Sequence, residues 1–336
     1  MQRMAGKRIL IVKLSSLGDI FHALPSVHLL RQGLDAEVDW VTQPEYVELL
    51  QCFPDVSDII SFPRRQYFGK MRSFLCALRA HEYDIVVDLQ GLMKSAMVAK
   101  LARARKVVGP SFYREGANLL YDEVAGPRDK DRHAVEENLD VVRHLGLPQI
   151  PVRFPVRFQN MPIDSKGVKV ALVPVSRGIH KNWPVRNFID VASKLQKEAG
   201  ASIYLFGSET DVAVCEAIRS ALASDAAGSP VVNLAGKTSL VEMGRWLAGM
   251  NLVVANDSGP IHMAAALGVP VLAVFGPTDP KRTGPYGAIH RVVTADIACR
   301  PCYRKHCAQD VPECLARVAP ERVAQEAIDM LRARSP

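Results

Sequence analysis

The sequence predicts an α/β protein of two domains, each built on a parallel sheet, and three observations carry that expectation. Short apolar runs alternate with segments of helical periodicity through most of the chain, the pattern of strands joined by crossover helices. The alternation breaks at 146–167, where Pro148, Pro151, Pro155 and Pro162 fall without helical periodicity, as in an interdomain connection. At 336 residues the chain is also too long for one ordinary core and suits two of about 150 residues each.

In the first half, residues 8–14 (RILIVKL) read as a strand, 15–19 (SSLGD) as a polar turn and 20–30 as the following helix. This is the opening of a Rossmann-like unit, but the GxGxxG fingerprint is absent and NAD is not expected there. Further strand and helix pairs follow at 38–41 and 46–50, 59–62 and 70–80, and 84–89 and 94–102. Residues 106–108 add a strand and 133–145 a helix, which completes a first domain over 1–150, with 151–167 as linker. The alternation restarts with 168–173 and 185–197, then 202–206 and 211–223, then 231–234 and 240–247. Two more strands, 252–255 and 271–275, belong to a second domain over 168–318, and the 319–336 segment carries an amphipathic helix at 320–331.

The densest set of polar and helix-start signals lies at 251–287. A strand stops at Asn256-Asp257-Ser258-Gly259-Pro260, where Pro260 fits the first turn of a helix and Ser258 or Gly259 its cap. Free backbone N–H groups at such a start favour an anion. His262 falls in the first turn. The next strand again ends in a polar turn, Gly276-Pro277-Thr278-Asp279-Pro280. Two successive polar strand ends point to a ligand at the C-terminal edge of a parallel sheet.

Composition is that of a globular protein, 48% hydrophobic and 23% charged. No run approaches the roughly 18 apolar residues of a membrane span, and neither a secretion signal nor a lipid-anchor motif is visible, so a cytoplasmic location is expected. Net charge is +7, with ten basic residues against three acidic ones between Arg64 and Lys106. Solvated helix faces account for single residues there; the cluster, with Phe62, Tyr67, Phe68 and Phe74 among it, also suits an anionic partner or membrane surface. No nucleic-acid module is present. Seven cysteines, an odd number, argue against a disulfide framework. Cys299, Cys302, Cys307 and Cys314 have the spacing C-x2-C-x4-C-x6-C, which suits either a structural zinc or iron–sulfur site or reduced thiols in a packed loop; it matches no standard ribbon or ferredoxin pattern.

Four ordered motifs, KLSSLGDIFHALP (13–25), DLQGLMKSA (88–96), HKNWP (180–184) and NDSGPIHMAAALGVP with FGPTDP (256–280), resemble the family 9 glycosyltransferases, the ADP-heptose:lipopolysaccharide heptosyltransferases. DLQGLMKSA and HAVEEN (133–138) are most similar to heptosyltransferase I, and the Cys-bearing tail to heptosyltransferase II and other relatives. The resemblance implies a GT-B fold, two Rossmann-like domains facing across a cleft with acceptor on the first and nucleotide sugar on the second, and a C-terminal helix packing back toward the first. It implies heptose transfer from ADP-heptose to a Kdo sugar of the lipopolysaccharide inner core, at the cytoplasmic face of the inner membrane. The other readings are heptosyltransferase II or another family member with a different acceptor and, from another class, a nucleotide- or nucleic-acid-binding protein with a four-cysteine metal site.

Within that resemblance Asp19 matches the catalytic carboxylate, a general base; by its position alone the cap of the helix beginning at Ile20 is the favoured reading. Lys181 matches a lysine beside the donor phosphates, and Ser176 a hydroxyl near them. Ser258 and Gly259 suit the diphosphate, Asp257 the heptose hydroxyls, and His262 either a phosphate or sugar contact or a packed helix histidine. Asp211 matches an acidic residue at the ribose, or another cap, and Thr238 a position beside adenine. Arg64, Arg65, Lys94 and His133 match regions that contact the anionic acceptor, where arginine's planar fork suits carboxylate and phosphate. No DxD metal motif accompanies the donor residues, and the resemblance implies metal-independent inverting transfer with no cofactor.

Overall fold

The computed structural model describes residues 6–63, 67–148, 151–158, 167–223, 229–304, 306–307 and 312–333. The chain forms two compact units, Met1–Arg157 and Phe158–Pro336.

In the first unit the strands are β1 (Lys7–Val12), β2 (Ala36–Thr42), β3 (Asp58–Ser61), β4 (Glu82–Tyr83), β5 (Ile85–Asp88), β6 (Arg103–Ala104), β7 (Val107–Pro110) and β8 (Glu123–Ala125). Six of them form a parallel sheet in the order β3-β2-β1-β5-β7-β8, while β4 and β6 make a small ladder of their own. The helices are α1 (Leu17–Leu34), α2 (Val47–Leu50), α3 (Tyr67–Leu78), α4 (Met93–Leu101) and α5 (Ala134–His144). The last four residues of β1 are all buried, as in a strand with helices on both faces of its sheet. Leu10, Val12, Val41, Val86, Val98 and the edge-to-face pair Phe62 and Phe74, 5.2 Å apart, belong to one apolar cluster. Val12 pairs with Asp88, so the turns leaving β1 and β5 lie side by side where the strand order reverses.

The second unit repeats the plan. Its strands are β9 (Lys169–Val173), β10 (Ser202–Leu205), β11 (Val231–Asn233), β12 (Leu252–Asn256), β13 (Val271–Val274) and β14 (Arg291–Val293), in the parallel order β11-β10-β9-β12-β13-β14. The helices are α6 (Val185–Ala199), α7 (Val212–Ala223), α8 (Leu240–Ala248), α9 (Gly259–Ala266), α10 (Pro280–Thr283), α11 (Glu313–Ala316) and α12 (Pro320–Arg332). Here β9 and β12 meet at the reversal, with Val173 beside Ala255. The C-terminal helix α12 contributes to the core of the second unit. Its stripe Val323, Ala327, Ile328 and Leu331 lies in the second unit's core with Phe188, Val191 and Leu195 of α6, because two apolar stripes of helical period meet face to face.

β4, β6, β8 and β14 are absent from the sequence reading. Each is two or three residues long, too short for a period to emerge.

Gly109 in β7 is required by close approach: a Cβ there would stand 1.9 Å from the Tyr121 ring, whose hydroxyl donates to Asp88 at 2.7 Å. Gly109→Ala is expected to displace the ring and destabilise the protein by about 1–3 kcal/mol in chemical denaturation.

Candidate functional site

Polar side chains gather at the strand-order reversal of each sheet, the place where open α/β sheets bind ligands. In the first unit, Ser16 caps α1, and its backbone N–H and hydroxyl both donate to Asp19 Oδ2, at 2.8 and 2.7 Å. Asp19 is therefore not the N-cap that its position in the sequence allowed: α1 begins three residues earlier than read, at Leu17, and Asp19 is its third residue, half-buried and bonded back to the cap Ser16. The turn before it is clamped by Gln90, whose Oε1 accepts from both Leu14 N and Ser15 N at 3.1 Å. Asp88 at the end of β5 is fully buried and accepts from Gln90 N, Gly91 N, Ser95 Oγ and Tyr121 OH at 2.7–3.2 Å. Burial raises its pKa, and those four donors oppose the rise. Burial and the Asp88 carboxylate in turn push the Tyr121 phenol above its ordinary range.

Of the acceptor residues named from sequence, His133 is the N-cap of α5, its Nδ1 accepting from Val135 N at 3.1 Å, and its ring meets that of His22 at 5.5 Å. Lys94 is exposed on α4, with its ammonium 5.4 Å from the Phe62 ring centroid. Arg64 and Arg65 lie outside the described residues.

In the second unit, Lys181 and Asp257 are partners: Lys181 Nζ donates to Asp257 Oδ2 at 2.6 Å, and Thr278 Oγ1 donates to the same oxygen at 2.6 Å. The sequence reading gave these two residues separate tasks and did not single out Thr278. Asp257 is 6% exposed, so the pair is partly desolvated and each charge depends on the other. Beside it, Ser258 caps α9, with Pro260 in the first turn, and its buried hydroxyl has no hydrogen-bond partner among the described residues. His262 is buried on the same helix. Ser176, in the turn after β9, is held by Asn182, whose Oδ1 accepts from Ser176 N at 2.7 Å and Ser176 Oγ at 2.9 Å.

Asn256 is the residue that joins these turns. Fully buried at the end of β12, it accepts from Trp183 N at 3.0 Å and donates to Pro174 O at 2.7 Å, which ties the HKNWP loop and the turn after β9 to the NDSGP turn. Trp183 is buried in turn, donating from Nε1 to Val318 O at 3.1 Å. A buried Asn directly after an apolar strand was the available signal for this role, and the sequence reading used it only as a strand stop. Asp211 is the third residue after the cap Ser208: its Oδ2 accepts from Ser208 N and Oγ, at 2.7 and 2.6 Å, at the turn preceding α7. Thr238 is half-buried, one residue before Ser239, the N-cap of α8.

All four cysteines of the 299–314 segment line one cavity of about 430 Å³, together with His180 and His306. Cys314 is buried, and burial raises its pKa, while Cys299, Cys302 and Cys307 are exposed. Among the described residues no group of three or more His, Cys, Asp or Glu side chains is arranged to hold a metal ion. The segment is fastened to the turn after β13, for Cys302 N and Tyr303 N both donate to Pro277 O, and Arg300 donates to Gly276 O and Thr278 O. Among the described residues no helix is long and apolar enough to cross a membrane.

Two Rossmann-like units in one chain, each with its polar groups at the strand reversal, define a glycosyltransferase of the GT-B class. Residues 71–311 match the model of glycosyltransferase family 9 (heptosyltransferase), and the chain belongs to that family. It is 30% identical to lipopolysaccharide heptosyltransferase 1 of Pseudomonas aeruginosa, over 97% of this chain and 98% of that protein. Among solved structures it is similar to Escherichia coli ADP-heptose lipopolysaccharide heptosyltransferase II, with TM-score 0.81, 25% identity and coverage of 97% and 99% of the two chains. It is similar also to E. coli heptosyltransferase WaaC with ADP, with TM-score 0.80, 27% identity and coverage of 96% and 99%.

Asn256→Ala leaves one buried N–H and one buried carbonyl without partners. The variant is expected to lose about 3 kcal/mol of stability in thermal unfolding, and Asn256→Asp, whose second oxygen would face Pro174 O and bury an unpaired carboxylate, at least as much at neutral pH.

Proposed function

We propose that this protein transfers heptose from ADP-heptose to a Kdo sugar of the lipopolysaccharide inner core, carried on lipid A. In this reading Asp19 takes the proton from the acceptor hydroxyl, whose oxygen attacks the anomeric carbon. The bond from that carbon to the diphosphate breaks, ADP departs, and configuration at the anomeric carbon inverts. No metal or cofactor takes part. The observation that carries the reading is the Ser16 and Asp19 pairing at the reversal of the first sheet, in a chain of family 9. It leaves a half-buried carboxylate with a defined orientation, as a general base requires.

The donor would lie at the corresponding place in the second unit. Backbone N–H groups at the start of α9 and the Ser258 hydroxyl suit the diphosphate. Lys181 offsets the charge that develops on departing ADP, with Asp257 holding its ammonium in place. Asp257 also accepts from the sugar, His262 and Ser176 line the same site, and Asp211 and Thr238 serve the ribose and adenine. Arg64, Arg65, Lys94 and His133 receive the anionic acceptor, with transient contact at the cytoplasmic face of the inner membrane. The four-cysteine segment has no part in this chemistry. Identity to heptosyltransferase 1 along nearly the whole chain supports Kdo as the acceptor sugar over heptose.

The purified protein is expected to consume ADP-heptose with Kdo-bearing lipid A and not with heptose-bearing lipid A, at a rate unchanged by EDTA; the reverse preference would assign the second heptose instead. Asp19→Ala is expected to lower kcat by about 10²–10⁴-fold with ADP affinity retained in calorimetry.

A further inference from the structure

The first unit leaves an apolar patch in water. Among the described residues its exposed large hydrophobic side chains all fall within 97–124: Met97 at 47%, Leu101 at 50%, Leu119 at 81%, and Val124. Single exposed apolar residues are ordinary, but a joined set asks for an occupant. Met93, Met97 and Leu101 recur every four residues along α4 and so form one stripe. Leu119, on the single 3₁₀ turn Ala117–Leu120, meets the start of that stripe. A Cβ on Gly116 would stand 3.6 Å from Met93 Cε and 3.8 Å from Leu119 Cδ1.

Positive charge borders the patch. Lys94 and Lys100, both exposed, lie three residues to either side of Met97, about 60° round the helix in each direction. Arg103 just beyond α4 and Arg114 before the 3₁₀ turn are exposed as well, and no acidic residue occurs from 94 to 114. Two acids adjoin the patch and both are engaged: Glu115 accepts from Met93 N at 3.2 Å, and Asp122 from Val107 N at 2.7 Å and Lys100 Nζ at 3.3 Å. The aromatics Phe62 and Phe74, which the sequence groups with this basic segment, are buried in the core and face no bilayer. An apolar stripe flanked by lysines suits the interface of an anionic membrane, with apolar side chains among the acyl chains and ammonium groups at the lipid phosphates. A second copy of this chain would set the same basic rim against itself, and like charges disfavour that occupant.

We propose that α4 and the 117–120 turn form the surface on which this protein rests on an anionic bilayer, with Met97, Leu101 and Leu119 entering the interface. The inference rests on the acceptor being carried on lipid A. α4 follows the turn after β5, where Gln90 holds the turn that leads to Asp19. The helix that meets the bilayer thus begins beside the proposed base, and a sugar a short way above the lipid surface is brought to it.

The full-length protein, without ADP-heptose or lipid A, is sedimented with vesicles of equal phosphatidylethanolamine and phosphatidylglycerol, and with vesicles of phosphatidylcholine alone. Binding to the anionic vesicles is expected to exceed the other by about tenfold or more and to weaken with salt. Leu119→Gln is expected to lower it about threefold, and the triple variant with Met97→Gln and Leu101→Gln about thirtyfold. Arg103→Gln and Arg114→Gln lower it about fivefold each. Melting temperatures stay unchanged, because all five side chains are exposed. Transfer to an acceptor held in vesicles falls with binding, while transfer to a deacylated, water-soluble acceptor keeps its rate. Unchanged binding in the triple variant, or equal binding to both kinds of vesicle, overturns the surface. A wild-type dimer in ultracentrifugation that Leu119→Gln dissociates overturns it too and assigns the face to a second copy. The vesicle experiment contains neither donor nor acceptor, so its failure is read separately from a failure to use ADP-heptose with Kdo-bearing lipid A, which would remove the proposed reaction instead.

Discussion

At the C-terminal end of a parallel strand the ladder stops, and backbone N–H and C=O groups are left in a place too buried for water to serve them all. Both units meet this constraint in the same way, with one side-chain amide bridging the two turns at the strand reversal. Gln90, leaving β5, takes the N–H groups of Leu14 and Ser15 after β1. Asn256, leaving β12, takes Trp183 N and gives to Pro174 O after β9. The turns that bear Asp19 in one unit, and Ser176, Lys181 and Asp257 in the other, are shaped by these amides.

The functional groups inherit their geometry from that frame. Capping fixes Asp19 through Ser16, for a carboxylate bonded back to the cap keeps a defined orientation. The same economy governs Lys181, whose direction is set by Asp257 and, through it, by Thr278. The Cys302 to Pro277 and Arg300 to Thr278 bonds extend the frame one layer outward, so the four-thiol segment buttresses the turn that supplies Thr278.

Much of this was legible in the sequence, because long apolar runs and helix starts report on themselves. The twelve-residue or longer helices α1, α3, α6, α7 and α12 carry enough periods to be read directly, and NDSGP states its own turn and cap. What escaped was pairing across distance. Asn256 and Pro174 are 82 residues apart, Lys181 and Asp257 are 76 apart, and Lys13 meets Leu89 across 76. Nothing local marks such partners, since register between parallel strands is decided by the whole sheet. Lys13 illustrates the difficulty: at the end of an apolar run it looks like a strand terminus reaching for solvent, and only the neighbouring strand's carbonyl shows that it does not.

If Lys181 and Asp257 border the proposed donor site, their pairing has a consequence for which anions that site would take. A lone lysine at a helix start would draw any phosphate, and inside a cell inorganic phosphate is always present. Here the ammonium already has a counterion, 2.6 Å away and 7% exposed, so much of its charge is offset. A small anion must then compete with a carboxylate that never leaves, and gains little by charge alone. In the proposed donor site, a ligand with a sugar and a nucleoside to add further contacts would meet that competition better than a simple anion.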